Sequence, residues 1–376
     1  MWEISLLLFA ALLLSWFNGA NDNFKGVASL HGSGTLSYRT ALVFATLATL
    51  AGSLCALWIA NGLVARFSGK GLVPEDLAGT TTFLAAVGLG AGWTVLLATR
   101  LGFPISTTHS LVGGLVGAGW LASGSQVNLS QLGSAFFLPL LVSPLLAAIL
   151  AAALYSTLSR TRKRLGLEKT ACICLGESAI SAAPAMAGAQ RQSATDLPAQ
   201  PNAWVMSVSD LSDCELRYTN RVIGVPLQTL LDLLHIISAG AVSFARGLND
   251  TPKIAGLLVA AHAISPTNGL LIVGLGIAAG GLLSAGRVAR TLSHRITRMN
   301  TGQGLAANLV TSFLVIVASR FGVPVSTTHV SVGALFGMGS VTGNQDTRVV
   351  RSILLSWLIT LPVAMLSSAL AWLLIR

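Results

Sequence analysis

The sequence predicts an all-α polytopic membrane protein made of two inverted repeats, each of about five transmembrane segments with broken or re-entrant helices. Three observations predict this. The chain of 376 residues is 53% hydrophobic and only 10% charged, with a mean hydropathy of +0.73. An average soluble domain carries roughly 25% charged residues. Apolar stretches close to the roughly 20 residues that cross a bilayer as a helix recur from end to end. Finally, two polar motifs each occur twice, in the same order. Gly19-Ala20-Asn21-Asp22-Asn23-Phe24-Lys25 returns as Gly247-Leu248-Asn249-Asp250-Thr251-Pro252-Lys253, and Pro104-Ile105-Ser106-Thr107-Thr108-His109 returns as Pro324-Val325-Ser326-Thr327-Thr328-His329. The two returns have nearly equal offsets, as duplication of one ancestral unit produces.

In chain order, the first set of apolar segments lies near 4–31, 40–62, 77–99, 105–122 and 134–157, and the second near 227–264, 268–286, 302–319, 325–341 and 351–375. The first segment of each set is interrupted by its Asn-Asp motif. The fourth opens with its Ser-Thr-Thr-His run and is short and Gly-rich. Such breaks survive at membrane depth only where protein or a water-filled cavity satisfies the freed backbone groups. Three regions follow: a first transmembrane repeat over 1–157, a linker over 158–221 and a second repeat over 222–376. The linker holds Arg160-Thr161-Arg162-Lys163-Arg164 and then Ala, Ser, Gln and Pro-rich sequence. It lacks apolar periodicity over most of its length, which predicts a largely flexible connection. Five crossings per repeat invert the second repeat and place the basic linker on the cytoplasmic side with both termini outside. If the fourth segments re-enter without crossing, the linker shares the N-terminal side, which is then cytoplasmic. Charge leaves crossing and re-entry open, and both place the linker in the cytoplasm.

The formal net charge of +10 does not imply nucleic acid, because much of the basic charge sits between apolar spans. Cys55 falls inside a span and packs there. Cys172, Cys174 and Cys214 lie in the linker with no His beside them and no standard zinc spacing, so no metal is expected. Residues 1–17 belong to the repeat and are not a cleaved leader. No enzyme is expected, since the short loops offer neither a nucleophile–base pair nor a phosphate-cradling glycine loop.

Polar residues at membrane depth default to a functional reading, and matched helix breaks in internal repeats point to a transporter's binding site. Ser106, Thr107 and Thr108, and their counterparts Ser326, Thr327 and Thr328, follow a Pro and precede a helix. A helix start presents unpaired N–H groups and a positive dipole end. Three hydroxyls added to it form a donor cluster suited to a tetrahedral oxyanion. Their plainer use is to cap the helix. His109 and His329 either brace the helix start or carry a proton. Asp22 and Asp250 each need a partner, which is a bound cation, a proton, or the Lys25 or Lys253 three residues on. Arg246 adds a third cation where Asn18 stands in the first copy. Asp232 and His235, near the start of the same segment, are expected at the interface.

These four motifs resemble those of the inorganic phosphate transporter family often called PiT, whose pattern is G-x-N-D-x-x-N and P-x-S-x-T-H in both halves. The likeness covers both hydrophobic halves and leaves out the linker. It implies a secondary-active inorganic phosphate transporter in the plasma (inner) membrane, with phosphate between broken helices and no enzymatic activity. It carries substrate binding onto Asn21, Asn249 and the two Ser-Thr-Thr runs, joined by Lys25 and Lys253 on charge grounds, and ion coupling onto Asp22 and Asp250. Sodium-coupled members carry small or amide residues where Lys25 and Lys253 stand, and an acidic residue where this chain has Asn308. Two extra fixed cations and one fewer acid disfavour a sodium site. The expectation is therefore proton-coupled symport by alternating access. Sodium coupling and a sulfate permease of the same family are the alternatives. Expected partners are phosphate, the lipid bilayer and a second copy in a homodimer; no cofactor is expected beyond H+ or Na+.

Overall fold

The computed structural model describes residues 2–166, 171–178, 204–210, 218–291, 300–343 and 347–376. The chain divides into two compact units. One joins Met1–Thr157 to His235–Arg376, so both hydrophobic halves share it, and the other is Leu158–Leu234.

The first half runs α1 (Trp2–Asp22), α2 (Ala28–Gly32), α3 (Tyr38–Ile59), α4 (Asn61–Arg66), α5 (Thr81–Leu101), α6 (Thr107–Ser123), α7 (Leu129–Leu132) and α8 (Leu138–Arg164). The second runs α9 (Leu227–Ala260), α10 (Pro266–Ser284), α11 (Gly286–Thr291), α12 (Thr301–Arg320), α13 (Thr327–Thr342) and α14 (Thr347–Ile375). Local sequence sets many of these boundaries. Ser37 and Ser265 cap α3 and α10, the latter with Pro at the first turn, and Asn300 with Gln303 closes a capping box on α12. Gly102 takes the left-handed conformation (φ 77°) that stops α5. Among the described residues, eight helices are long and apolar enough to cross a membrane. This is a multi-pass integral membrane protein. At 17 and 16 residues, α6 and α13 lie at the lower limit of the length that crosses a bilayer.

The two Asn-Asp motifs, expected to interrupt their segments alike, differ. The first ends α1, and residues 23–27 continue as turns closed by Asn23 N to Gly19 O, Lys25 N to Asp22 O and Val27 N to Phe24 O bonds. The second interrupts nothing, because α9 runs unbroken through Asn249, Asp250 and Pro252. Gly26 supplies the difference. A Cβ there would lie 2.3 Å from Ser243 Oγ, so the first chain bends onto α9 where only glycine fits. The counterpart of Gly26 is Ile254, a residue that continues a helix.

Contacts between the halves come in exchanged pairs. A Cβ on Gly19 would sit 2.0 Å from Ile277 O, and one on Gly247 2.0 Å from Thr49 O. Gly280 and Gly52 return these contacts against Trp16 O and Phe244 O. Hence α1 packs backbone to backbone on α10, and α9 on α3. In the same manner Gly117 of α6 meets Met365 of α14, and Gly337 of α13 meets Ala148 of α8. Small residues at helix crossings permit this approach where lipid offers no hydrophobic drive.

The expected linker, 158–221, falls in the unit Leu158–Leu234, whose described residues include a small sheet. Strands β1 (Ala171–Ser178), β2 (Trp204–Asp210) and β3 (Tyr218–Pro226) form an antiparallel sheet in the order β2-β1-β3, with Ala171 opposite Asp210 and Cys172 opposite Pro226. The all-α description therefore holds for the membrane unit. Three short strands spread through a long polar stretch leave little periodicity to read, and only their pairing makes them a sheet. Cys172 and Cys174 lie on β1, and Cys214 lies outside the described residues.

Candidate functional site

Helices α5 and α6 form a hairpin whose connecting tip is residues 102–106, and α12 and α13 form another with its tip at 321–326. Pro104 and Pro324 keep these tips extended, and each new helix starts right behind them. Ser106 and Ser326 are the N-caps, accepting from His109 N (3.1 Å) and His329 N (3.2 Å). The two tips meet. Thr108 Oγ1 donates to Val325 O (3.2 Å), and Thr328 Oγ1 donates to Ile105 O (2.9 Å). His109 and His329 face each other with ring centroids 4.4 Å apart, and His329 stacks on Trp357. His109 Nδ1, His329 Nε2 and Trp357 Nε1 are buried and have no hydrogen-bond partner among the described residues.

The Asn-Asp motifs hold these tips in place. Asn21 donates to Phe103 O (2.9 Å) and Thr99 Oγ1 (3.1 Å) and accepts from Ile105 N (3.1 Å). Asn249 donates to Val325 O (3.2 Å) and Asp250 Oδ1 (2.9 Å), and its own oxygen accepts from Ser319 (3.3 Å). Both amides thereby satisfy backbone groups that the extended tips leave free. Lys25 bonds to Asp22, to Ile105 O (2.7 Å) and to Thr328 Oγ1. Lys253 bonds to Asp250 Oδ1 (3.5 Å), Val325 O (2.6 Å) and Thr108 Oγ1 (2.7 Å). Each lysine thus ties its own half's carboxylate to the other half's threonine.

One feature breaks the symmetry. Arg246 of α9 reaches across to Asn23 Oδ1 (3.1 Å) and Asn18 Oδ1 (3.4 Å), and its Nε lies 3.9 Å from Asp250 Oδ2. Asn18 Nδ2 donates to Thr107 Oγ1 (2.9 Å) and lies 3.3 Å from both Asp22 Oδ2 and Asp250 Oδ2. Thr107 Oγ1 lies 3.4 Å from Asp22 Oδ2. Asp22, Asp250, Arg246 and Lys253 are at most 3% exposed. Ions so thoroughly removed from water persist only when paired and hydrogen-bonded, and here three cations share two carboxylates. The surplus positive charge, two helix N-termini and a set of hydroxyls converge on one buried place. That composition suits an oxygen-rich anion.

The two Asn-Asp-Lys sets, the two Ser-Thr-Thr-His runs, Asn18 and Arg246 come together here, with Thr327 buried at the start of α13, whereas Asp232, His235 and Asn308 do not join them. Ser106 and Ser326 serve as caps in this conformation. His235 is fully buried and bonds Ser29 Oγ at 2.9 Å. Asn308 joins that same cluster through Ser29 and Ser238, away from the hairpin tips. Thr99, Ser319, Asn23 and Trp357 were missed. Thr99 and Ser319 each lie a few residues before a Pro-x-Ser-Thr-Thr-His run, and that recurrence was the available signal.

Known proteins with matching sequence or structure bear on what this site takes. The model of the phosphate transporter family matches residues 18–368. A relative from Thermococcus kodakarensis, provisionally named a phosphate permease, is 27% identical over 95% of this chain and 93% of its own length. The chloroplastic inorganic phosphate transporter 2-1 of Arabidopsis thaliana is 28% identical over 96% of this chain and 71% of its own length. The solved structure of a sodium-dependent phosphate transporter covers 100% of this chain and 99% of its own with a TM-score of 0.76, at 21% identity, a likeness of fold.

Proposed function

The chain belongs to the phosphate transporter family, and from that premise we propose that it imports inorganic phosphate by proton-coupled, alternating-access symport. The observation that carries the reading is the convergence of two hydroxyl-rich helix starts on two Lys–Asp pairs joined across the halves. Phosphate enters as the better partner for the surplus cations. Its oxygens accept from Thr107, Thr327 and Arg246, and from one ammonium hydrogen of Lys25 and of Lys253. Each lysine keeps its carbonyl and threonine bonds and gives up its carboxylate. A buried carboxylate left without its cation neutralises itself, so Asp22 or Asp250 takes up a proton. Anion and proton thus move together, and the proton is released when phosphate leaves and the lysine returns. The hairpins enter from opposite faces as parts of inverted repeats, and rocking of one repeat against the other opens the site alternately to each side. His109 and His329 brace the two helix starts against each other.

The test is labelled phosphate uptake into proteoliposomes with sodium replaced by choline, over a series of imposed pH gradients. Uptake should follow the inward proton gradient and be lost in Asp22→Asn and Asp250→Asn. Sodium coupling, the dependence that the structural neighbour's name states, is the rival reading. Strict sodium dependence would sink the proton assignment, and sulfate competing as well as unlabelled phosphate would reassign the anion.

A further inference from the structure

An ammonium group has three N–H donors and no acceptor. Around Lys25 the three partners are a carboxylate oxygen (Asp22), a backbone carbonyl (Ile105) and a hydroxyl (Thr328). Around Lys253 they are the same three kinds: Asp250, Val325 and Thr108. In each case the carboxylate comes from the lysine's own half, and the hydroxyl from the other. The carbonyls belong to the extended hairpin tips, where no helix claims them. Carboxylate, unwound carbonyl and hydroxyl form the ligand set that takes a hard cation through oxygen alone, and unwound carbonyls are where transporters hold such ions. The lysine side chains are 6% and 1% exposed, so these cages are closed to water.

We propose that Lys25 and Lys253 are tethered cations occupying two latent monovalent-cation cages, and that removing either side chain opens a sodium site. While the ammonium holds the cage, a free sodium ion has neither room nor charge to compensate. With the lysine cut back, a buried carboxylate, carbonyl and hydroxyl face one void, and a small cation is what restores their balance. The covalent tether explains how this chain could move its anion without sodium. That consequence rests on the proposed transport function, whereas the cage itself does not.

The experiment therefore omits phosphate. Wild type, Lys25→Ala, Lys253→Ala and the double variant are purified, and thermal unfolding is followed as sodium chloride replaces choline chloride at constant ionic strength. A ligand that binds only the folded state raises Tm in a saturable way. The wild type should show no sodium-specific shift. Each Ala variant should gain a rise of several degrees that choline does not give, and Lys25→Arg, which keeps a tethered cation, should not. A variant that folds in sodium but not in choline supports the cage as well. A wild-type shift equal to that of the variants, variants insensitive to sodium, or variants that fold in neither salt would overturn it. Sodium-responsive variants of a protein that moves no phosphate would leave the cages standing and refute the transport reading alone.

Discussion

Thr107 shows how far one side chain serves two states. Its hydroxyl is held by Asn18 at 2.9 Å and lies 3.4 Å from Asp22, so in this conformation it belongs to the cross-half polar cluster. In the proposed phosphate complex it turns to the anion. Thr107→Ala should leave the fold intact, because it removes a hydroxyl and no cap. It should raise the KM for phosphate about tenfold, since an unmatched buried donor or acceptor costs about 1–3 kcal/mol and each 1.4 kcal/mol is about tenfold in affinity. An unchanged KM would remove Thr107 from the anion site. Asn21 differs in kind. It makes three bonds to the first hairpin tip and its approach, so Asn21→Ala should lower Tm as well as activity.

At the scale of helices, the membrane unit is held by backbone contacts that tolerate no Cβ. Gly247 packs on Thr49 O, and Gly19 on Ile277 O, at 2.0 Å for an added Cβ. The obstructing atoms are main-chain carbonyls in buried helices, so no side chain can swing aside. Gly247→Ala should force α9 from α3 and sharply reduce the yield of folded protein. The control is Gly133→Ala, where a Cβ meets nothing within 4 Å. Fluorescence-detected size exclusion of both variants checks this. A monodisperse Gly247→Ala protein at wild-type yield would show that the crossing relaxes. The same contacts explain why one Asn-Asp motif breaks its helix and the other does not. Gly26 admits Ser243 against the chain, and Ile254 stands in the corresponding place on α9.

For the molecule as a whole, the exchanged pairing of α1 with α10 and α9 with α3 joins the two repeats in one shared core. The polar site lies where the two repeats cross. The proposed inversion of the repeats makes a topological prediction. The base of the first hairpin, at residues 124–126, and that of the second, at 342–343, should open to opposite faces of the membrane. Ser125→Cys and Thr342→Cys, made singly in a chain without its native cysteines, should react with a membrane-impermeant thiol reagent from opposite sides of oriented vesicles. Labelling from one side would establish parallel repeats and end the inverted reading.

Much of this was legible in the chain, because lipid imposes simple rules. Span length, low charge and the doubled motifs predicted the helical membrane class and most of the residues that cluster at the hairpin tips. What pairing decides stayed hidden. That Lys25 reaches Thr328 while Lys253 reaches Thr108 could not be read from spacing, since the contacts join residues 303 and 145 positions apart. The same holds for Arg246 spanning to Asn18 and Asn23, and for three dilute strands closing into a sheet. The sequence by itself determined which polar groups are placed in lipid, because their cost there depends only on the local chain. Tertiary structure alone decided which carbonyl and hydroxyl each ammonium answers, because the hydroxyl comes from the opposite half and the partners meet only when the hairpin tips do.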